Sequence, residues 1–387
     1  MDLTQAVPDI ELPASIRSMI QRKIDQLADV DRRLLITASV QGYEFEAAVV
    51  AKALASDAGE VEERLADLDR AHGFVRHVRE LELPAGILTV RYRFVHVLYQ
   101  NALYASLAPT RKTALNSAVA EALLGFCGDQ TATIASHVAL LFEVARDFPR
   151  AVDHFLLAAQ HAATVFANQE AALLARKGLD LLKGLPPTPE RTRQELKFQT
   201  TLGVALRNTQ GFGAPEVGAA YARALELCRQ TQEEREVIPA LRGLWEFYEL
   251  RADLKTSLEL ADQCLHLARN ANDPELLLVA HDISGDTRVW LGEFAAAREH
   301  LEQAIALYDP QRDRAHAYLH DYDTGVVCWM FKGLVLWYLG DLDRSLESSN
   351  RAVALAKELS HPSSLALALE FCAWLHQHRR DRALTQR

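Results

Sequence analysis

No Gly-Lys pair occurs anywhere in the 387 residues, so no GxxxxGK[ST] phosphate loop can be present. An apolar run ending in Asp-Asp or Asp-Glu, which would hold magnesium, is equally missing. Without backbone amides and a lysine to cradle phosphates, the chain is expected neither to bind ATP tightly nor to hydrolyse it. The five cysteines (Cys127, Cys228, Cys264, Cys328 and Cys372) are scattered and odd in number, and no CxxC occurs. That argues for buried free thiols over a disulfide framework or zinc ribbon. No apolar run approaches a membrane span and no signal-peptide pattern is found, so a cytoplasmic protein without membrane contact is expected. The net charge of −10 argues against general affinity for nucleic acid, because neutralising phosphates needs a basic surface.

Catalytic and metal patterns are also sparse. His316 and His320 stand four apart beside Asp321 and Asp323, but a metal needs a third convergent ligand, and no HExxH glutamate accompanies them. They read as packed or exposed histidines. Gly211-Phe212-Gly213 follows no strand and is an inter-helix turn, not a dinucleotide loop. No Ser/His/Asp or Cys/His arrangement rises above chance. The chain is read as a non-enzyme, with no catalytic and no metal-ligating residues.

What is abundant is helical pattern. Hydrophobic content of 49% with 24% charged residues is that of a folded soluble protein. Gly292-Glu293-Phe294 through Ala304-Ile305-Ala306-Leu307 reads as one helix, with small residues on one side and large apolar residues three and four apart. Gly340 through Leu355 matches it position for position. Ala252 through Leu267, Phe212 through Leu227 and Arg146 through Ala159 are further copies. Starts at Phe212, Ala252, Gly292 and Gly340 step by 40, 40 and 48 residues, the signature of a helical-repeat array. One hairpin cannot bury its apolar face alone, so the copies must stack. The product is a groove suited to holding a protein or peptide.

In order along the chain, residues 1–12 are an extended lead-in. Helices are expected at about Ser15–Leu27, Arg32–Val40, Phe45–Leu54 and Glu60–Ala71. Phe74–Leu83 and Ile87–Phe94 then read as strands around Pro84-Ala85-Gly86, since Leu88, Val90, Tyr92 and Phe94 alternate with polar residues. Helices followed by one hairpin is the order of a winged helix, spanning residues 13–110. Residues 111–185 read as the first helical repeats. Leu185-Pro186-Pro187-Thr188-Pro189 separates them from a tetratricopeptide-like array over 190–387. No polar capping repeat follows the helix at His376-Gln377-His378, which reads as a truncation. The fold class is therefore mainly α: a winged-helix domain followed by a tetratricopeptide-like α-solenoid.

Several stretches together resemble one family. They are Leu12-Pro-Ala-Ser-Ile-Arg, Ala38-Ser-Val-Gln-Gly-Tyr-Glu-Phe, Tyr92 through Tyr104, Gly333 through Gly340 and Leu359-Ser-His-Pro-Ser-Ser-Leu-Ala. The chain resembles the carboxy-terminal half of bacterial STAND-class signalling ATPases, which often carry adenylate or guanylate cyclase or protein-kinase domains. The resemblance implies a regulatory and protein-interaction portion of a signal-transducing ATPase. Its array would be sensor or scaffold, and its winged helix would couple to an ATPase core in cis or in trans. ATP or ADP is expected only with that core. The resemblance also implies that His96, at the hairpin exit, could contact a nucleotide phosphate, as the histidine of a Met-His-Asp motif does in that class. Here Val95 and Val97 replace the Met and the Asp.

The alternative is a DNA-binding transcriptional regulator with a ligand-sensing array. Its recognition helix would be Glu44-Phe-Glu-Ala-Ala-Val-Val-Ala-Lys-Ala-Leu, which offers one lysine, two glutamates and no arginine or asparagine for base edges. The hairpin does carry Arg76, Arg79, Arg91 and Arg93, which could touch phosphate or an acidic partner. Nucleic-acid binding is not expected.

Overall fold

The computed structural model describes residues 14–84, 86–231, 234–313 and 322–380. The lead-in at 1–12 and the His316/His320 pair lie outside the described residues. The chain forms two compact units, Met1–Thr201 and Leu202–Arg387.

The first unit opens with α1 (Ala14–Asp25), α2 (Asp29–Gln41), a short strand β1 (Glu44–Glu46), α3 (Ala47–Leu54) and α4 (Ala58–Asp67). α3 stops where Ala55 turns left-handed (φ 53°), and Asp57 starts α4 by accepting the Glu60 backbone N–H at 3.0 Å. A π turn, Leu68–His72, leads into the hairpin of β2 (Val75–Leu83) and β3 (Ile87–Phe94). Here the sequence reading needs correction, because Phe45 is in a strand and not in the first turn of a helix. β1 adds to the hairpin, giving a three-stranded antiparallel sheet in the order β1-β3-β2. The reason lies in the cross-strand pairs. Glu44 faces Arg93 and Glu46 faces Arg91, so opposite charges pair on one side of the sheet. On the other side Phe45, fully buried, packs on Phe94 with ring centroids 5.3 Å apart. The core beneath it gathers Leu34, Leu35 and Ala38 of α2, Val61 and Leu65 of α4, and Phe74.

Five further helices belong wholly or partly to this unit: α5 (Val97–Ala105), α6 (Pro109–Cys127), α7 (Thr131–Val144), α8 (Phe148–Thr164) and α9 (Asn168–Lys183). α10 (Pro189–Gln210) begins at the end of the proline-rich break, and the division between the units falls inside it.

The second unit stacks helical hairpins. Its members after α10 are α11 (Pro215–Thr231), α12 (Glu234–Leu250), α13 (Leu254–Ala271), α14 (Pro274–Trp290) and α15 (Phe294–Leu307). Then follow α16 (Thr324–Tyr338), α17 (Leu342–Leu359) and α18 (Pro362–His378). The repeated start read from the sequence has a local cause. Ala252, Gly292 and Gly340 are left-handed (φ 60°, 78° and 85°) and end α12, α14 and α16. The next backbone N–H reaches back five residues to close each helix, as from Asp253 to Tyr248 at 3.0 Å and from Asp341 to Leu336 at 2.9 Å. Asp253 and Asp341 then cap the following helix through the N–H groups of Thr256 and Arg344. One residue stops a helix and the next starts another. The same turn occurs in the first unit, where Arg146 (φ 60°) precedes the capping Asp147.

The interior of this unit is built as the spacing required. Ala297, Leu301 and Ala304 of α15 are fully buried, with Phe294 and Leu307 packed at the margin. Two helices meet closely at Gly333, where Ser345 Oγ of α17 donates to the Gly333 carbonyl at 2.7 Å. A Cβ there would lie 3.2 Å from backbone atoms of Ser345 and Ser349, so only glycine lets α16 and α17 meet this closely. On α18, Leu365, Leu367 and Trp374 pack against the core and Leu369 is exposed.

Candidate functional site

The alternate helices α12, α14, α16 and α18, the first of successive hairpins, pack on one another in order. They line a cavity of about 600 Å³, within the size range of ligand sites. Its walls are apolar and aromatic: Trp245, Trp290, Met330, Phe331 and Phe371. Trp290 and Phe331 lie edge to face with centroids 6.1 Å apart, and Phe331 meets Phe371 at 5.4 Å. Trp245 is fixed, since its indole N–H donates to Thr287 Oγ1 at 2.7 Å and that hydroxyl donates to the Ile283 carbonyl.

The floor is charged. Arg207 of α10 and Glu246 of α12 form a pair at 3.4 Å. Arg242 lies 3.8 Å from Asp282, whose other side takes the Cys328 thiol at 3.3 Å. Glu249 and Asp286 meet side chain to side chain, and the indole N–H of Trp290 faces both. The three inner carboxyls are all shifted toward their neutral forms. Burial pushes Glu249 up to about 7, helped by the nearby charges of Glu246 and Asp282. Burial pushes Asp282 up to about 6, with Arg242 and the thiol pulling it partly back. Asp286, 7% exposed, is raised well above the ordinary range by burial and by the charges of Glu249 and Asp282. Three side-chain atoms here have no hydrogen-bonding partner among the described residues: Arg242 Nη1, Glu249 Oε1 and Asp286 Oδ1. An orphaned polar atom in the interior is costly, so their gathering around one cavity marks it as incomplete by itself.

The sequence reading named none of these residues, although the repeat contained the signal. Stepping by the repeat length from Leu202 gives Arg242, Asp282 and Met330; stepping from Leu206 gives Glu246, Asp286 and Leu334. The inner positions are apolar in the outer repeats and charged in the middle two. Trp245 and Trp290, which fall in the same helices, also line the cavity.

The residues that the sequence reading did name lie in the first unit. His96 is exposed and extended (φ −143°, ψ 139°) and caps α5, its Nδ1 accepting the Leu98 N–H at 3.1 Å. With Nδ1 accepting, the ring proton sits on Nε2. The four arginines form two cross-strand pairs, Arg76 with Arg93 and Arg79 with Arg91. Arg91 is half-buried and bound to Glu46, its Nε 2.9 Å from Oε1. Arg76 lies 4.0 Å from Asp69, and Arg79 and Arg93 are exposed. The four are therefore not equivalent, because Arg91 is already neutralised. In α3, Ala47 through Ala51 are buried, α6 packs against the helix, and its one cation, Lys52, lies over the Phe126 ring at 4.5 Å. The buried residues Ala47 through Ala51 are not available to a DNA groove.

No family model matches the sequence and no curated protein matches it. Among solved structures, the chain is similar to the apo form of RapI, with TM-score 0.47 and 11% identity over 61% of this chain and 93% of that one. It is also similar to a Signal Transduction ATPase with Numerous Domains carrying a tetratricopeptide repeat sensor, from Pyrococcus horikoshii. There the TM-score is 0.41 and the identity 12%, over 96% of this chain and 58% of that one. A third similarity is to NprR in complex with its cognate peptide NprX, with TM-score 0.46 and 12% identity over 74% of this chain and 78% of that one. Among the described residues, no helix is long and apolar enough to cross a membrane.

Proposed function

We propose that the chain is a non-catalytic regulatory and protein-interaction portion of a signal-transducing ATPase. The stacked hairpins of the second unit act as sensor or scaffold for a protein or peptide. The sheet-and-helix module of the first unit acts as a winged helix, coupling that event to a nucleotide-binding core that this sequence does not encode. The observation that carries the reading is the cavity built by alternate helices of successive repeats, whose polar floor the chain leaves incomplete. A site of that kind serves recognition. The missing phosphate loop supports a role without turnover of its own.

Within this reading, His96 carries the contact to the nucleotide. Exposed, and with its proton on Nε2, it can donate to a phosphate oxygen, more strongly when protonated. Arg76, Arg79 and Arg93 offer charge to an acidic partner on the same module. Two measurements test the reading. The purified chain should show no ATP turnover above buffer background; chelator-sensitive turnover would overturn it. In a system reconstituted with the ATPase core, His96→Ala should raise basal activity by loosening the ADP-bound state. Unchanged basal activity and ADP affinity would leave His96 as a helix cap only.

A further inference from the structure

The floor of the second unit's cavity carries more acceptors than donors. From α12 it receives Arg242, Glu246 and Glu249, and from α14 Asp282 and Asp286; behind them Arg207 of α10 pairs with Glu246 and the Cys328 thiol of α16 donates to Asp282. Asp323, at the start of α16, adds a further negative charge toward Asp282. Arg207 is matched by Glu246 and Arg242 by Asp282, which leaves Glu249 and Asp286 together with one orphaned oxygen each. Asp286 is more than nine-tenths buried and lines the cavity. Two adjacent carboxyls without a cation are an unfavourable thing to build into a core unless something brings one. Among the described residues no group of three His, Cys, Asp or Glu side chains is arranged to hold a metal ion. The missing charge is therefore better supplied by an organic cation with several N–H donors. The surroundings select further. Beyond the carboxyls the walls are Trp290, Phe331, Met330, Leu367 and Phe371, so a bare ammonium or guanidinium would leave most of the cavity unfilled.

We propose that this cavity binds a peptide through a basic side chain, whose guanidinium or ammonium group is received by Asp286 and Glu249 while apolar neighbours of that residue pack on Trp290, Phe331 and Phe371. The proposal rests on reading the second unit as an interaction module and adds the chemistry of the partner. A planar guanidinium can donate to both carboxyls at once, and the face of Trp290 offers a stacking surface for it. Entry of a cation favours the ionised forms of both acids. The proton that Glu249 and Asp286 hold near neutral pH must then leave for solvent, so binding should release protons and tighten as pH rises from about 6 to 8.

The test uses the full chain and the capped tripeptide acetyl-Leu-Arg-Phe-amide, with the citrulline tripeptide as its neutral isostere and arginine amide as a small cation. Tryptophan fluorescence and isothermal titration calorimetry read binding. The arginine tripeptide should bind at least roughly tenfold more tightly than either comparator. Asp286→Asn should weaken it by roughly thirtyfold, while Glu259→Gln, on the exposed side of α13, leaves it unchanged. Calorimetry in phosphate and Tris buffers should show release of up to about one proton at pH 7, lost in Asp286→Asn. Equal affinities for the arginine and citrulline tripeptides, or no binding by either, overturns the proposal. Arginine amide binding as tightly as the tripeptide overturns the assignment to a peptide. The regulatory reading is tested by ATP turnover and by His96→Ala, neither of which involves this cavity, so the two can fail separately.

Discussion

Each unit buries a cluster of charges, and the two clusters are finished differently. In the first unit Glu46 receives Arg91 on one side and the Gln41 amide on the other, while its own N–H donates to Gln41 Oε1 at 3.2 Å. Three segments of the chain close that network without outside help. In the second unit Glu249, Asp286 and Arg242 each keep an atom without a partner. The second network is the more deeply buried, yet the first is complete and the second is open. A closed network fixes a fold, here the placement of β1 against β3. An open one costs stability and persists only where a partner from outside repays it.

The contrast predicts opposite signs for like substitutions. The largest effect should come from Arg91→Ala, which strands a half-buried carboxylate and should lower the unfolding free energy by about 2 kcal/mol in a denaturant titration. A loss below about 1 kcal/mol would show that the network in the first unit is dispensable. Asp286→Leu should act the other way and stabilise, by about 1 kcal/mol at pH 5 and about 2 kcal/mol at pH 8. The pH dependence follows from the raised carboxyls. In the window above its ordinary value of 3.8, Asp286, raised by burial and the neighbouring carboxyls, binds more proton in the folded chain than in the unfolded one. The wild-type protein therefore loses stability as pH climbs through that window, and the variant should lose less. His300, which burial and nearby Arg288 push down to about 4, titrates in both proteins and cancels in the difference. A destabilised Asp286→Leu protein would show that the second network is closed after all.

The smallest effect concerns a device that both units share. Ala252 and Arg146 occupy the left-handed position that glycine fills at 292 and 340. Ala252→Gly and Arg146→Gly should each stabilise by about 1 kcal/mol, and by similar amounts in the two units, because the strain is local. Unequal effects in thermal unfolding would show that surrounding packing, not the turn, sets the strain.

The helical hairpins could be read from the sequence because their physics is periodic. Ala297, Leu301 and Ala304 declare a buried face, and Asp253 or Asp341 after a left-handed residue declares the turn. The hairpin strands could be read from the alternation of Val90, Tyr92 and Phe94. Strand β1 could not, since three residues followed directly by the helix-forming run Ala47–Leu54 look like the first turn of that helix. Only the cross-strand partners Arg91 and Arg93, more than forty residues later, make Glu44 and Glu46 a strand. The cavity floor was half legible. Charged residues recurring at the inner positions of the middle repeats stood in the sequence, but their meaning depends on burial, and acidic residues on helices are usually solvated. The role of Arg91 was misjudged for the same reason: nothing local says that Glu46 lies beside it.

Four of the five cysteines are buried, and burial pushes the thiol of Cys264 up to about 12 and that of Cys328 well above the ordinary range. Since only the thiolate attacks, those sulfurs are chemically silent at neutral pH. Cys372 alone is partly accessible, and it follows Phe371 of the cavity wall directly in α18. The chain thus carries one addressable sulfur beside this cavity. A maleimide dye attached there would report occupancy by a change in emission, with no substitution needed to place it.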